Sequence, residues 1–378
     1  MAEGDIGAVI ASFEFDEGQG VYPKIIHIAG DVYAIVYQGV DGDGWIKTVT
    51  ISAAGAIALV VGGSLEFDTG VCAYPDIIHV SGDVYAIVYE GVDVHGWIKT
   101  VTISAAGAIA LVVGGELEFD AVVGQYPTIV HVDDNVYTIA YASTDVRGWL
   151  ISITISAAGE IAFIPAAKIQ FSTADAYHTN IFRIGATNVF AIAYQEGYDG
   201  WLATITIDNL GGFGIGVIAR FEFETDECHF PDVIHVLGDV YAITYKGGAN
   251  DGWIKTVTIS NLGAIALVVG GSLEFDAVDG WDPDIVHVSG TVYAVAYKGV
   301  LYDGWIKTVT ISAAGAIALT GSSREFDTVD CAYPDIIHVS GDVFVIAYTG
   351  TGTDGWLATV PIERAVAAMQ HLMIMGVG

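Results

Sequence analysis

Seven copies of one sequence unit follow each other along this chain, and this repetition limits the possible folds more than any single residue does. Each copy carries a Gly-Trp pair, and the tryptophans recur every 52 residues five times and then after 51. They are Trp45, Trp97, Trp149, Trp201, Trp253, Trp305 and Trp356. Self-similarity at a period near fifty residues is typical of small units that bury their apolar faces only against neighbouring copies. The repeat therefore predicts a stacked or circular array.

Each repeat contains the signals of four short strands. In the second copy, residues 76–89 hold two β-branched, apolar stretches separated by a Ser-Gly-Asp turn. Residues 97–103 predict a third strand and residues 108–119 a fourth, with a bulge at Gly114-Gly115. Most copies place Asp-Gly before the third strand, a dipeptide that favours a tight hairpin turn with positive φ. Four antiparallel strands in about fifty residues form one blade of a β-propeller.

The two ends of the chain predict how the ring of blades closes. Residues 8–16 match a fourth strand without the preceding three, whereas residues 335–362 supply three strands without a fourth. Pairing them completes a seventh blade and removes an exposed sheet edge that would invite aggregation. We therefore predict an all-β domain over residues 1–362, a seven-bladed β-propeller of four-stranded antiparallel blades. If the first strands run from the top face to the bottom face, the fourth-to-first and second-to-third connections lie on top.

The composition is apolar and strongly acidic, with 53% hydrophobic residues and a net charge of −32 from 13 Lys and Arg against 45 Asp and Glu. Phosphate backbones and anionic membrane surfaces bind through Lys and Arg, so this balance disfavours nucleic acid and membrane partners. No apolar run reaches the ~20 residues of a membrane-spanning helix. The first residues lack the pattern of a secretory signal, which leaves a cytosolic protein, a processed one or an excised domain. Cys72, Cys228 and Cys331 cannot all pair, which predicts free thiols.

Two segments of the repeat resemble a known kind of protein. Residues 82–89 (Gly-Asp-Val-Tyr-Ala-Ile-Val-Tyr) and 251–259 (Asp-Gly-Trp-Ile-Lys-Thr-Val-Thr-Ile) are similar to propeller-type repeats of archaeal and environmental surface proteins. The resemblance covers residues 8–362 and concerns the repeat pattern, without the Gly-His and Trp-Asp motifs of WD40 repeats or the glycine positions of kelch repeats. It implies a surface-exposed, extracellular binding or architectural propeller, and it brings no catalytic residues.

One polar residue recurs near the end of every first strand and is a candidate for a ring around the central channel. These residues are His27, His79, His131, Arg183, His235, His287 and His338. They could line the channel as an anion or metal site, or form hydrogen bonds to the adjacent blade. Metal ligation requires several imidazoles about 2 Å from one ion, which a wide seven-membered ring does not offer, so we favour the structural interpretation.

Carboxylates concentrate on the predicted top face, and the fifth and sixth repeats are richest in them. Trp281 is the one tryptophan outside the register, and it lies near the carboxylates Asp279, Asp282 and Asp284, which makes these four residues the candidate ligand site. An aromatic ring flanked by carboxylates is common in sugar-binding sites. Calcium takes about six to eight oxygen ligands, which such loops can supply, although the spacing here matches no calcium-binding loop. Turn chemistry accounts for Asp43, Asp199, Asp251, Asp303 and Asp354.

Residues 363–378 do not belong to the repeat and contain three of the four methionines. Their apolar stretch predicts a short helix that is too short to cross a bilayer. Because methionine side chains adapt to irregular grooves, we expect this segment to pack on the bottom face, at the channel mouth or against another subunit. The predicted interface residues are Ala365, Met369, Leu372, Met373 and Met375.

The sequence favours a non-enzymatic function. Near-identical repeats supply the same groups in every blade, whereas a catalytic site needs different groups, and the sequence carries no nucleophile–base or phosphate-binding motif. We therefore expect a binding or structural propeller that presents an acidic loop face, self-associates or binds another protein, and uses no cofactor. Two alternatives stay open: a multivalent, carbohydrate-binding lectin, and a glycan-active enzyme that uses paired top-face carboxylates. Any specific pocket is expected to gain its asymmetry from the divergent fourth repeat.

Overall fold

The computed structural model describes residues 2–365, with Asp145 and Ile215 described by their backbone only. The described residues form seven four-stranded antiparallel sheets, and the first strands of neighbouring sheets contact each other around a central channel. The chain is therefore a seven-bladed β-propeller, which confirms the predicted fold. We number the blades 1 to 7 in the order of their first strands. Within residues 2–365, no helix has the length and apolarity needed to cross a membrane.

Each blade contains one strand of each kind, from the innermost first strand to the outermost fourth. The first strands are β2 (Val21–Ala29), β6 (Ala73–Ser81), β10 (Gln125–Asp133), β14 (Tyr177–Arg183), β18 (His229–Leu237), β22 (Trp281–Ser289) and β26 (Ala332–Ser340). The second strands are β3 (Val32–Gln38), β7 (Val84–Glu90), β11 (Val136–Ala142), β15 (Val189–Glu196), β19 (Val240–Lys246), β23 (Val292–Lys298) and β27 (Val343–Thr349). The third strands are β4 (Asp43–Ile51), β8 (Gly96–Ile103), β12 (Arg147–Ile155), β16 (Asp199–Ile207), β20 (Gly252–Ile259), β24 (Gly304–Ile311) and β28 (Gly355–Pro361). The fourth strands are β5 (Ile57–Val71), β9 (Ile109–Asp120), β13 (Ile161–Asp175), β17 (Phe213–Glu224), β21 (Ile265–Asp276), β25 (Ile317–Asp327) and, for blade 7, β1 (Ala11–Asp16).

The N-terminal strand closes the ring, as predicted. Strand β1 pairs antiparallel with β28 and places Ala11 opposite Thr359. Ile6 forms a further bridge with Ile362, so the pairing continues beyond the end of β1. Blade 7 therefore takes three strands from one end of the described chain and its fourth strand from the other.

Apolar side chains between the blades form the core. The second strands are apolar along most of their length because neighbouring blades cover both of their faces. One buried cluster lies in each of the seven junctions of the described ring. Between blades 1 and 2, for example, Val36 and Ile46 pack with Ile87 and Tyr89, and complete burial of one such aliphatic side chain contributes about 1.5–3 kcal/mol to folding. The cysteines are buried in these clusters with free thiols, as predicted; they are Cys72, Cys228 and Cys331.

A polar contact, repeated with variations, fastens the blades to each other. At the junction of blades 1 and 2, Lys99 Nζ lies 2.8 Å from Asp68 Oδ2, and the hydroxyl of Tyr89 donates a hydrogen bond to the same carboxylate. We call this arrangement of Asp, Tyr and Lys the clasp. In blade 3 the lysine comes from the fourth strand instead, where Lys168 Nζ lies 2.9 Å from Asp120 Oδ2. Six of the 13 basic residues hold clasps or their equivalents: Lys47, Lys99, Lys168, Arg220, Lys255 and Lys307.

The fourth strands carry the bulge predicted at the Gly-Gly pairs. In blade 2 the ladder with the third strand skips residues 112–115. Gly114 has a φ of 78°, a conformation that glycine adopts without steric cost. Val113, beside it, is 96% exposed, and Val61 and Val269 are equally exposed in the bulges of blades 1 and 5. The bulges therefore place apolar side chains on the outer rim of the propeller.

The prediction that the tight turn lies at the Asp-Gly dipeptides is wrong, because the turn lies just before them. In blade 1 the positive φ values fall on Asp41 (61°) and Gly42 (86°), whereas Asp43 is extended and begins β4. Gly44 is required for another reason, because a Cβ there would lie 2.7 Å from the ring of Phe67. The dipeptide therefore marks the start of a strand that packs closely on a phenylalanine. Short 3₁₀ turns precede the third strands at Val40–Gly42, Val92–Val94, Thr144–Val146, Gly248–Asn250, Val300–Tyr302 and Thr351–Thr353.

Candidate functional site

Seven side chains meet at the top end of the channel, where each first strand begins, and we call them the collar. They are Tyr22, Tyr74, Tyr126, His178, Phe230, Asp282 and Tyr333. All seven have left-handed backbone angles, with φ between 49° and 53°. For a residue with a side chain, such a conformation costs on the order of 1–3 kcal/mol and persists only where the surroundings enforce it. A register shift between first and second strands accompanies each of them, so the collar residues leave the ladder and line the channel.

The collar is a nearly closed ring of aromatic side chains. Neighbouring ring centroids are 4.1 Å apart for Tyr22 and Tyr74, 4.6 Å for Tyr74 and Tyr126, 4.4 Å for Tyr126 and His178, 4.0 Å for His178 and Phe230, and 4.4 Å for Tyr333 and Tyr22. The widest step, 5.9 Å between Phe230 and Tyr333, is the position of Asp282. The channel therefore has an aromatic wall at its top with a single carboxylate in it.

A second layer of polar side chains lies below the collar, and we call it the acidic layer. It consists of Lys24, Asp76, Thr128, Asn180, Asp232, Asp284 and Asp335, each two residues beyond its collar residue. Its carboxylates accept hydrogen bonds from backbone amides of the next blade, as Asp284 Oδ2 does from Ile336 (2.7 Å). Lys24 Nζ forms an ion pair with Asp335 Oδ1 at 2.8 Å. The layer therefore joins the blades and gives the channel more carboxylates than cations.

The collar and the acidic layer, with the exception of Asp335, line a cavity of about 300 Å³. Burial, followed by the carboxylates of Asp232 and Asp335, raises the pKa of Asp284 well above its usual range. Burial opposes the charge of Lys24, but the surrounding carboxylates raise its pKa overall. Burial lowers the pKa of His178 to about 3, so this collar residue is neutral. The cavity is thus aromatic and uncharged over most of the collar and acidic below it.

Asp282 is the one carboxylate of the collar, and only 9% of its surface is exposed. Its Oδ2 accepts a hydrogen bond from the amide of Tyr333 (3.2 Å), whereas its buried Oδ1 has no hydrogen-bond partner among the described residues. Burial raises the pKa of Asp282 to about 6, while the Tyr333 amide and Lys298 act in the opposite direction. Buried polar atoms in folded proteins are almost always hydrogen-bonded, so this oxygen calls for an explanation.

Of the four residues predicted as a ligand site, two line the cavity and two lie beside it. Asp282 belongs to the collar and Asp284 to the acidic layer. Trp281 precedes the collar residue, but its ring is already covered by blade 5, where Lys246 Nζ lies 4.5 Å from the ring centroid. Asp279 lies in the preceding loop, with a buried Oδ1 that lacks a partner in the described part of the chain. The collar rings, and not Trp281, therefore form the aromatic surface of the cavity.

The predicted polar ring of six histidines and Arg183 lies at the opposite end of the first strands from the collar. In blade 1, His27 Nε2 forms a hydrogen bond with the carbonyl of Gly30 (2.9 Å), and its ring packs on Tyr33 at 4.9 Å between centroids. The equivalent bond is made by His79, His131, His235, His287 and His338. Arg183 instead donates a hydrogen bond to the carbonyl of Val132 (2.6 Å) in the preceding blade. These side chains hold the turns between first and second strands.

The aspartates attributed to turn chemistry form carboxyl pairs on the top face. Burial and a hydrogen bond to Asp43 raise the pKa of Glu66. The equivalent pairs are Glu14 with Asp354, Glu222 with Asp199, Glu274 with Asp251, and Glu325 with Asp303. In blade 2, His95 replaces the aspartate, and its Nδ1 lies 2.6 Å from Glu118 Oε1. Within residues 2–365, no three His, Cys, Asp or Glu side chains are arranged to hold a metal ion, and calcium binding stays a prediction.

The predicted C-terminal interface is described only at its beginning. The amide of Ala365 donates a hydrogen bond to Ser289 Oγ (3.0 Å), and Arg364 Nε donates one to the carbonyl of Val288 (2.9 Å). The chain therefore leaves the propeller in contact with the end of β22. The other predicted interface residues lie outside the described residues: Met369, Leu372, Met373 and Met375.

The collar is the feature that sequence analysis missed. Its signal is an aromatic residue followed by proline at the start of the first strand, as in Tyr22-Pro23, Tyr74-Pro75, Tyr126-Pro127, Phe230-Pro231 and Tyr333-Pro334. Because the residue before a proline favours extended backbone, this dipeptide predicts a strand and not a left-handed bulge. The fourth repeat departs from it, as expected: Thr179 replaces the proline and donates a hydrogen bond to the carbonyl of Tyr126 (2.7 Å).

No protein-family model and no curated protein matches the sequence. Several solved structures are similar to it in fold. Sqt1 from Chaetomium thermophilum is 13% identical, with a TM-score of 0.55 over 92% of this chain and 83% of that one. A mutant of NanB sialidase from Streptococcus pneumoniae is 8% identical, with a TM-score of 0.53 over 94% and 71% of the two chains. A mutant of AofleA from Arthrobotrys oligospora is 10% identical, with a TM-score of 0.51 over 85% and 91%. At these identities the similarity shows the propeller fold alone.

Proposed function

We propose that this chain is a non-enzymatic binding propeller whose ligand site is the cavity at the collar. The main support is that the repeats differ from each other at the residues that line this cavity. Residues that pack the blades recur, as Tyr37, Tyr89 and the equivalent second-strand tyrosines do in all seven blades. The cavity instead combines Tyr, His, Phe and Asp in the collar with Lys, Asp, Thr and Asn in the acidic layer. A concave, largely apolar site with a few placed polar groups is typical of ligand binding.

Most polar groups of the cavity favour binding over catalysis, and Asp282 is the exception. A general base works best when its pKa lies near the working pH; burial lowers the pKa of His178 to about 3, whereas the pKa of Asp282 is about 6. The carboxylates of the acidic layer are engaged in joining the blades, as Asp76 Oδ2 is by the amide of Ile129 (3.0 Å). These groups therefore have a structural task that proton transfer would interrupt.

A glycan-active enzyme is the second candidate, because carboxyl groups in different environments face one cavity. Glycoside hydrolases use one carboxyl as an acid and another as a base or nucleophile. Asp284, with its raised pKa, and the neighbouring Asp232, which also lines the cavity, are the pair that such a reaction would use. The fold similarity to a sialidase is compatible with this candidate but adds no residue to it.

Two further alternatives, a lectin and an assembly module, would use sites on the outer surfaces of the propeller. Repeated top-face carboxyl pairs, such as Asp43 with Glu66, favour a multivalent site that shares a cation with a sugar. Exposed valines on the outer rim, such as Val61 and Val113, favour contacts between copies of the chain. Both fit the surface setting that the repeat resemblance implies. A glycan array with and without calcium tests the first, and light scattering tests the second.

The collar proposal is tested by a metabolite screen with thermal unfolding as the readout. A ligand present at about 100 times its Kd stabilises the protein by about 2.7 kcal/mol. We expect at least one compound to stabilise the wild type but not Tyr74→Leu, which removes a ring from the collar. Tyr302→Leu is the matched control because this tyrosine is 63% exposed and outside the cavity. Ligand binding that Tyr74→Leu leaves intact, or glycoside hydrolysis lost in Asp284→Asn, would overturn the proposal.

A further inference from the structure

Four segments on the outer rim of the propeller contain no charged residue. Each runs from the turn between the third and fourth strands through the bulge of the fourth strand. They lie in blades 1, 2, 5 and 6 as residues 52–63, 104–115, 260–271 and 312–323. Charged residues make up 15% of the chain, so these neutral segments depart from its overall composition. The equivalent segments of blades 3 and 4 carry Glu160 and Asp208, and blade 7 carries Glu3 and Asp5 before β1.

The neutral segments form two apolar patches on opposite sides of the ring. The fourth strands of blades 1 and 2 contact each other, as do those of blades 5 and 6, while blades 3 and 4 on one side and blade 7 on the other separate the two pairs. We call the surface of the first pair rim patch A and that of the second pair rim patch B. Their large apolar side chains are half to fully exposed: Leu59, Val61, Leu111 and Val113 in rim patch A, and Leu262, Leu267, Val269 and Leu319 in rim patch B. Exposed apolar surface of this kind is typical of interfaces.

The rim patches lack the residues that usually protect an open sheet edge. The outer edge of each fourth strand has no pairing partner among the described residues. Monomeric proteins protect such edges with charged side chains, prolines or bulges. The four segments contain neither a charged residue nor a proline, whereas blade 3 carries Pro165 at its bulge. The bulges in turn place Val61 and Val113 at full exposure, so the rim patches are open to contact by another molecule.

We propose that the two rim patches join copies of this chain to each other, so that each copy is a two-ended unit of a longer assembly. Both patches are built from the same repeat, so every copy presents apolar surfaces that match those of its neighbours. Charge favours this occupant, because copies with a net charge of −32 repel each other least where they meet through neutral surfaces, whereas a basic partner is attracted to the carboxylates of the top face. Contact surfaces on two sides of one molecule generate chains or rings of copies. The rim lies outside the collar cavity, so this inference is independent of the proposed ligand site.

The test measures the mass of the full chain by sedimentation velocity over a series of concentrations. We expect the wild type to form oligomers larger than dimers as its concentration rises. Val61→Lys combined with Val113→Lys places charges in rim patch A, and Leu262→Lys combined with Val269→Lys places them in rim patch B. Because burying an unpaired ammonium group is costly, each pair of substitutions should stop association at the dimer, and all four together should leave a monomer. These four side chains are at least 83% exposed, so the substitutions leave the packing of the blades intact.

The matched control adds the same charge elsewhere. Val122→Lys combined with Val278→Lys changes exposed valines of the top-face loops and should leave association unchanged. Added salt should strengthen association, because screening reduces the repulsion between acidic copies, whereas it would weaken an ionic contact. A wild type that stays monomeric or stops at the dimer at its highest soluble concentration, or association that the four rim lysines leave intact, would overturn the proposal. Binding of the monomer to phosphatidylcholine vesicles through the rim patches, or association that begins only when residues 366–378 are deleted, would also overturn it.

Discussion

At the scale of single residues, the lysines of the repeat have a structural role that is set by the carboxylates they contact. In sequence, Lys99 belongs to a Gly-Trp-Ile-Lys segment at the start of the predicted third strand. In the structure, only 13% of its side chain is exposed, and its Nζ contacts the carboxylate that also accepts the Tyr89 hydroxyl. The few basic residues of this acidic chain therefore have a structural role: they neutralise Asp68 and its equivalents between the blades.

Lys99→Met should lower the free energy of unfolding by about 1–3 kcal/mol, because Asp68 keeps its partly buried position but loses its cation. Urea unfolding followed by tryptophan fluorescence measures this change. Glu160→Gln is the control, since this residue lies exposed just before β13 and should leave the midpoint unchanged. Equal midpoints for Lys99→Met and the wild type would show that the clasp does not stabilise the junction.

At the scale of elements, the N-terminal strand has the most specific task, because β1 covers the edge of β28. Deleting residues 2–16 should expose that edge and cause aggregation or a large loss of thermal stability. A circular permutant that attaches residues 2–16 after residue 363 is the matched control, since the bridge between Ile6 and Ile362 shows that these segments already meet. The permutant should restore the monomer and its melting temperature. A deletion variant that stays monomeric and melts like the wild type would refute closure by β1.

The elements were predictable because their signals are local and repeated seven times. Continuous apolar stretches such as Val84–Glu90 indicate strands that are covered on both faces, and the Gly114-Gly115 pair indicates a bulge. The position of the tight turn was not predictable from Asp-Gly alone, because Gly44 is required by the ring of Phe67, a contact between strands. The collar was not predictable for a similar reason. Its residues lie 52 apart in sequence, or 51 in the last step, and only ring closure brings Tyr22 against Tyr333.

At the scale of the whole molecule, two groups of carboxyls give stability opposite pH dependences. Clasp carboxyls such as Asp16 and Asp276 have a lowered pKa, because burial opposes their charge but hydrogen bonds from lysine and tyrosine outweigh the effect of burial. These carboxyls therefore stabilise the fold at neutral pH, and this stabilisation is lost below about pH 4. Top-face carboxyls such as Glu66 and Glu274 have a raised pKa, chiefly through burial and a neighbouring aspartate. A raised pKa means that the folded state binds protons more tightly, so these groups favour folding as the pH falls.

The melting temperature should therefore be higher at about pH 5.5 than at about pH 7.5, and should fall again below about pH 4. Relief of repulsion within a chain of net charge −32 acts in the same direction as the raised carboxyls. Thermal unfolding monitored by circular dichroism across this range measures the profile. Glu66→Gln should reduce the gain on acidification, because one carboxyl pair is removed. A melting temperature that falls steadily from pH 7.5 to pH 5.5 is the contrary result.

This propeller is expected to hold its ligand in the cavity at the collar. The most direct measurement is a crystal structure of the protein soaked in the compound that the thermal-unfolding screen selects. We predict electron density for that compound in the cavity, next to Tyr74. The same soak of Tyr74→Leu crystals should show weaker density there. Density only on the outer surface, with none in the cavity at a saturating concentration, would contradict this assignment.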